Sequence, residues 1–165
     1  MRARYPALMT VRGVLLALAG LLALNAGSAS ASDPEGATSA QTVIETRRAG
    51  FKKMGAAMKA IVGELKSDAP DLARMRAATQ AISTFATEPV HSFPAGSGPE
   101  SGVDTDALPH IWEDRAKFDS LANQLISESK NLTAAMSGND LAAIRTQVKV
   151  VAEVCATCHH SFRAD

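Results

Sequence analysis

The stretch LAAIRTQVKVVAEVCATCHHSFR, residues 141–163, combines a helical pattern with both cysteines of the chain. Its apolar positions recur at alternating steps of three and four residues, which is the spacing of one face of an α-helix. These positions are Leu141, Ile144, Val148, Val151, Cys155, Cys158 and Phe162. The pattern predicts an amphipathic helix whose buried face carries the two cysteines.

Three further segments have helical spacing of their apolar residues: 42–66, 70–88, and a third from Leu108 to 136. The connection 89–106 contains three prolines and three glycines, which interrupt helices. The loops between helices 1 and 2 and between helices 3 and 4 are short, so the helices of each pair should be antiparallel. The sequence therefore predicts an all-α, antiparallel four-helix bundle with a long crossover between helices 2 and 3. Only 4% of the residues are aromatic, which leaves room in such a core for a large apolar cofactor.

Several residues are expected to define the helix ends. Asp68 can cap the second helix, with Pro70 in its first turn. Gly138 is expected to terminate the third helix, and either Asn139 or Asp140 to cap the fourth.

The first 31 residues have the order of a signal peptide. Three arginines precede the apolar run 13–24, and small residues follow up to Ala31. A run of twelve is too short to span a bilayer, so we expect cleavage after Ala31 and export to the periplasm, with no membrane attachment afterwards.

The mature domain, 32–165, begins with a loose polar lead-in, 32–40. It keeps 14 basic against 17 acidic residues and no basic block, which argues against nucleic acid as a partner.

The two cysteines allow several kinds of site. A disulfide between Cys155 and Cys158 would join neighbouring turns of one helix and stabilise little else. A redox dithiol needs a helix N-terminus, whereas these thiols lie near a C-terminus. A structural zinc site needs four ligands, and the fourth would have to be His160, His91 or His110.

The pattern C-x-x-C-H, here Cys155 to His159, is the attachment signature of c-type heme. Both thiols would form thioethers, and His159 would reach the iron from the same helix face, because it follows Cys155 by one turn. Export agrees with this interpretation, and we weigh it above the disulfide and zinc. No Ser/His/Asp set and no paired carboxylates indicate an enzyme.

The chain resembles cytochrome c′, the class II c-type cytochromes. The likeness covers nearly all of the mature chain and is carried by TRRAGFKKMGAAMKAI (46–61), FPAGSG (93–98), IWEDRAKF (111–118) and CATCHHSFR (155–163). It implies one covalently attached heme c per chain, one axial histidine, an apolar distal side and a homodimer. Val43, together with Ala57 and Ile61 of the first helix, could serve the dimer or the core.

Charged residues near the expected heme have distinct roles under this resemblance. His159 is the iron ligand, whereas His160 points about 100° away and faces solvent. Arg47 interrupts an apolar stripe and needs an anion, for which the resemblance supplies a heme propionate. Arg48 could replace it but is better explained as exposed. Arg163 either lies beside the proximal face or is a solvated helix-end residue.

The sixth iron position decides the function. The resemblance assigns it to Phe51, which has no lone pair to donate, so the iron would be five-coordinate and bind NO or CO. Met54, or less directly Met58, is the rival and would make a low-spin electron carrier with an unidentified redox partner. Trp112 and Phe93 are expected at the heme edge or in the ordinary core.

Overall fold

The computed structural model describes residues 34–164, and its regular structure is helical. The elements are α1 (Pro34–Glu64), α2 (Leu72–Phe85), a 3-10 turn (Pro99–Ser101), α3 (His110–Glu113), α4 (Arg115–Gly138) and α5 (Leu141–Phe162). Within these residues the only pairing of β type is an isolated bridge between Ala107 and Arg163. The all-α prediction is confirmed. The proposed signal peptide lies outside the described residues.

The bundle core lies between α1, α2, α4 and α5. Its buried apolar residues are Met54, Ala57, Ile61, Leu65, Met75, Ile82, Ala86, Leu125, Leu132, Met136, Ile144, Val148, Val151 and Val154. Complete burial of one such aliphatic side chain stabilises a fold by about 1.5–3 kcal/mol. Ala57 and Ile61, which were also considered for a dimer surface, are only 8% and 0% exposed and belong to this core, whereas Val43 is half-buried.

A second apolar cluster lies where the crossover meets α3, α4 and the end of α5. Its buried members are Phe93, Ala107, Ile111, Phe118 and Phe162. Phe51 of α1 is half-buried and packs against both clusters. The two clusters therefore meet at this ring.

Helix α1 begins earlier than the sequence pattern suggested. The polar lead-in was expected to continue to residue 40, but the helix already starts at Pro34. Proline suits the first turn because its fixed φ is helical and its missing N–H would have no partner there. The prediction of a loose lead-in was wrong for residues 34–40. These residues form a helix although they have no apolar stripe, which was the signal used to predict helices.

Helix α2 is capped by Asp71, not by Asp68. The Asp71 carboxylate accepts hydrogen bonds from the backbone N–H groups of Ala73, at 2.9 Å, and Arg74, at 3.0 Å. The Asp71 N–H donates to a carboxylate oxygen of Glu64 at 3.0 Å, which joins the cap to the end of α1. Pro70 therefore precedes the cap and is not in the first turn.

The third predicted helix is interrupted at Asp114, whose φ of −117° and ψ of 59° are not helical. Asp114 accepts a hydrogen bond from the Lys117 N–H at 3.2 Å, so α4 has its own N-cap.

Helix α4 ends at Asn139, which adopts a left-handed φ of 56°, while Gly138 is still helical. The expectation for Gly138 was wrong, because asparagine also tolerates this conformation. Asp140, one of the two residues predicted to cap α5, is the cap.

The crossover is bound to α3 and α4 by side chains that reach its backbone. Trp112 donates from Nε1 to the Pro94 carbonyl at 3.1 Å. Arg115 donates to the carbonyls of Phe93, at 3.0 Å, and Val90, at 2.7 Å. These bonds fix the position of the crossover without regular structure, and the crossover can therefore form one wall of a site.

Candidate functional site

A cavity of about 860 Å³ lies among α1, the crossover, α4 and the C-terminal half of α5. Apolar side chains form most of its wall, with a few polar and charged groups among them. Its lining includes Arg47, Phe51, Met54, Met58, Phe93, Phe118, Leu125, Val154, Cys155, Cys158, His159, Phe162 and Arg163. This combination is typical of a pocket for an apolar cofactor with charged substituents.

Both cysteines of α5 are free, half-buried thiols at the cavity wall. Burial raises the pKa of Cys155, and burial together with the neighbouring Cys155 raises the pKa of Cys158 to about 11. A raised pKa favours the protonated thiol, in contrast to the thiolates of redox dithiols. Residues 34–164 also contain no cluster of three or more ligand side chains suited to a metal ion, so the zinc alternative gains no support.

His159 lies on the same helix face one turn after Cys155, and it also lines the cavity. Partial burial is the main cause that lowers its pKa, and the charge of Arg163 adds to the effect. The neutral imidazole is the form that binds a metal. Both His159 and His160 are exposed to solvent, but only His159 is part of the cavity wall. The geometry therefore brings together the three residues of the C-x-x-C-H motif.

Arg47 is 3% exposed although it carries a charge. Its Nη1 donates to Ser97 Oγ at 3.0 Å, and its Nη2 donates to Thr105 Oγ1 at 2.7 Å. The guanidinium also lies 4.5 Å from the centroid of the Phe93 ring. All of these partners are neutral, and within residues 34–164 no carboxylate forms an ion pair with Arg47.

The electrostatic state of Arg47 follows from this environment. Burial is the main cause that lowers the pKa of its guanidinium, and the more distant Glu100 acts in the opposite direction. A buried cation without a counter-ion is costly, and an anion in the adjoining cavity would compensate it. The cavity therefore fits a cofactor with carboxylates, as heme has.

Two further arginines border the cavity at exposed positions. Arg48 forms an ion pair with Asp104 at 3.3 Å, and Arg163 forms one with Asp106 at 3.6 Å. Exposed pairs of this kind contribute about 0–1 kcal/mol. Arg163 thus lies beside His159 at the cavity, while more than half of its side chain is exposed.

The residues proposed for the sixth position all lie on the α1 side of the cavity. Phe51 and Met58 are half-buried, and Met54 is 6% exposed. Phe93 also lines the cavity, whereas Trp112 does not and packs against Phe93 with ring centroids 6.2 Å apart. The cavity wall contains both Phe51 and its rival Met54.

The sequence pattern missed the hydroxyl partners of Arg47. Ser97 and Thr105 lie in the crossover, which has no periodicity from which an inward-facing residue could be identified. The FPAGSG motif, which contains Ser97, was the only signal in that region. Phe118 and Leu125 of α4 have helical spacing, but this spacing does not distinguish a cavity wall from an ordinary core.

Comparison with known proteins identifies the family. A family model described as Cytochrome C′ matches residues 42–163. The chain is 38% identical over 149 residues to cytochrome c′ of Rhodopseudomonas palustris, covering 89% of this chain and 93% of that protein. It is 33% identical over 129 residues to cytochrome c-556 of Agrobacterium fabrum, covering 78% of this chain and 85% of that protein.

Solved structures have the same fold. Cytochrome c′ from Thermochromatium tepidum superimposes with a TM-score of 0.70 at 25% identity, covering 76% of this chain and 97% of that one. None of the helices described for the present chain is long and apolar enough to cross a membrane. Because the family model spans most of the chain and agrees with both the relatives and the fold, the chain belongs to the cytochrome c′ family of heme proteins.

Proposed function

We propose that the chain holds one heme c through thioethers to Cys155 and Cys158, with His159 as the axial ligand. The observation that carries this proposal is the set of two free thiols and an imidazole on one helix face, all lining one large cavity. Arg47 supports it, because this buried cation lacks a carboxylate among the described residues and borders the same space. When bound, the heme supplies an iron that takes up a diatomic gas or exchanges an electron.

We infer further that Phe51 occupies the distal side and leaves the iron five-coordinate and high-spin. Its ring offers bulk but no donor atom, and the rings of Phe85 and Phe93 pack against it beside a largely apolar wall. The Phe51 ring itself offers water no polar partner, and such a pocket admits small neutral molecules such as NO or CO. The function would be binding of nitric oxide, for its detoxification or transport, together with electron transfer and without a classical enzymatic reaction.

The position of Met54 supports a second candidate function, that of a low-spin electron carrier. It is 6% exposed and lines the same cavity. The relatives above 30% identity include both a cytochrome c′ and a cytochrome c-556. A thioether sulfur on the iron would exclude gases and favour rapid electron exchange.

The proposal also includes the cellular setting. Cleavage after Ala31 would release the chain into the periplasm, the compartment in which c-type heme is attached. The functional form would be a homodimer, and a redox partner not yet identified would exchange electrons with it. The half-buried Val43 of α1 is a candidate for the dimer surface.

Optical spectroscopy of the exported holoprotein tests both parts of the proposal. Extraction with acidified acetone should leave the Soret band with the protein, because thioethers resist this treatment. The ferrous protein should show a broad high-spin spectrum that changes on addition of CO. Extraction of the colour would refute covalent attachment, and a sharp low-spin spectrum insensitive to CO would favour the Met54 alternative.

A further inference from the structure

Phe85 packs against the proposed distal residue and is not part of the cavity wall. It is the last residue of α2, and its ring packs edge-to-face on Phe51 with centroids 5.2 Å apart. Phe51 lines the cavity, whereas Phe85 does not. Phe85 can therefore influence the cavity through the position of Phe51 without lining it.

Gly50 makes this close approach of α1 and α2 possible. A Cβ atom at position 50 would overlap three carbons of the Phe85 ring. Glycine inside a helix costs about 1 kcal/mol relative to alanine, so its place in the middle of α1 has a physical use here. The ring of Phe85 fills the space that the absent side chain leaves, next to Phe51.

The other aromatic neighbour of Phe51, Phe93, is held more firmly. Phe93, with its centroid 6.2 Å from that of Phe51, is 6% exposed and has further ring contacts with Phe118 at 5.0 Å and Trp112 at 6.2 Å. The guanidinium of Arg47 covers its face. Phe85 is half-buried at a helix end, and Phe51 is its only aromatic partner in residues 34–164. Phe85 is therefore the neighbour that can move more easily when Phe51 changes position.

We propose that Phe85 is a positioning residue that determines how readily Phe51 moves away, and with it the rate at which a diatomic gas enters. This inference rests on the proposed function, in which the gas binds on the Phe51 side. In this arrangement Gly50 and Phe85 form one unit, because the glycine fixes the depth at which the Phe85 ring is seated. The unit acts on gas entry without touching the bound gas.

The test uses the holoprotein and carbon monoxide. Phe85→Ala should raise the CO association rate by up to roughly tenfold, the rate equivalent of one lost edge-to-face ring pair. Phe85→Leu, which keeps apolar bulk and is safer for folding, should show a smaller rise. Leu72→Ala is the matched control, since Leu72 is half-buried on the same helix but lies roughly 20 Å from Phe85 at 1.5 Å per residue. It should leave the rate unchanged.

Two further measurements separate positioning from general loosening. In a Phe51→Ala background, the Phe85→Ala change should have no further effect on the CO rate. In the gas-free holoprotein, NMR of the ¹³C-labelled Phe51 ring should show faster ring flips in Phe85→Ala than in wild type or Leu72→Ala.

The outcomes distinguish this inference from the proposed function. A wild-type protein that takes up no CO refutes the proposed function before any variant is compared. If wild type binds CO but Phe85→Ala alters neither its rate nor the Phe51 ring flips, the positioning role alone is wrong. A rate increase that persists undiminished in the Phe51→Ala background would also overturn it.

Discussion

Arg47 and Ser97 lie 50 residues apart in the chain, and Arg47 Nη1 donates a hydrogen bond of 3.0 Å to Ser97 Oγ. Ser97 Oγ in turn donates to the Pro94 carbonyl at 2.8 Å. Through this bond and a second to Thr105, one buried arginine holds the crossover against α1 at the edge of the cavity. Arg47 therefore serves the fold and, in the proposed holoprotein, a heme propionate as well.

Replacement of Arg47 by leucine should lower the reduction potential, because loss of a positive charge near the heme favours the more positive ferric state. It should also destabilise the fold by about 1.5–3 kcal/mol, the range for a lost hydrogen bond to a charged group. Spectroelectrochemical titration and urea unfolding measure the two effects. Ser97→Ala is the control, since it removes the contact and keeps the charge. Equal potentials in wild type and Arg47→Leu would contradict the propionate role.

The site was predictable where local pattern and chemistry coincide. The steps of three and four along α5 predicted the face that carries Cys155 and Cys158, and the one-turn spacing from Cys155 predicted that His159 shares it. All three residues line the cavity. The partners of Arg47 could not be predicted in this way. Their contacts join positions at least 50 residues apart through a crossover without periodicity, and only the folded backbone determines which crossover hydroxyls face inward.

Helix ends show the same division between local and long-range information. Asp140 was predictable because the turn before α5 is short and offers few capping residues. The turn before α2 offers both Asp68 and Asp71, and Asp71 has a further contact, since its N–H donates to the Glu64 carboxylate of α1. A contact with a preceding helix is not visible in a local capping pattern.

The three aspartates give a direct test of the capping assignment. Asp71→Ala and Asp140→Ala should each reduce the free energy of unfolding by about 1 kcal/mol, the usual loss for an N-cap. Asp68→Ala, at an exposed position without a cap, should change it little. Urea denaturation followed by circular dichroism measures all three. A loss for Asp68→Ala as large as that for Asp71→Ala would refute the assignment.

Gly98 in the crossover should not tolerate a side chain. A Cβ atom there would meet the Trp112 ring and the Glu100 carboxylate, so Gly98→Ala should destabilise the protein by about 1–3 kcal/mol through overpacking. Gly63 near the end of α1 has open space around it, and Gly63→Ala should be neutral or stabilising by up to about 1 kcal/mol. Thermal unfolding of the two variants should shift in these different directions; a similar loss for both would contradict the Trp112 contact.

The N-terminal segment should be absent from the exported protein. If residues 1–31 form a signal peptide, intact-mass spectrometry of the periplasmic fraction should give a chain that starts at Ser32 and carries the added mass of one heme. Ala31→Pro should block cleavage, because the cleavage site requires a small residue at this position. An unprocessed chain in the periplasm of cells with the native sequence would refute the predicted boundary.

The two alternatives for the sixth iron position, Phe51 and Met54, predict opposite results for the same substitutions. If Phe51 covers it, Phe51→Ala should speed CO binding, because the obstacle is removed, while Met54→Leu leaves the high-spin spectrum unchanged. The Phe51→Ala change should also destabilise the fold, by less than the roughly 3–5 kcal/mol of a fully packed phenylalanine, because Phe51 is half-buried. If Met54 binds the iron, wild type is low-spin and Met54→Leu converts it to high-spin.

Met58 provides the matched control for this comparison, because it lines the same cavity from α1 but is half-buried and one turn further along the helix. Met58→Leu removes a thioether with little change in volume, so it should leave both the spectrum and the CO rate near those of wild type. Met54→Leu likewise removes the sulfur with little change in volume, so it tests iron ligation separately from packing. Conversion of the spectrum by Met54→Leu and not by Met58→Leu would exclude a five-coordinate iron, whereas conversion by neither, with faster CO binding in Phe51→Ala, establishes Phe51 as the distal residue.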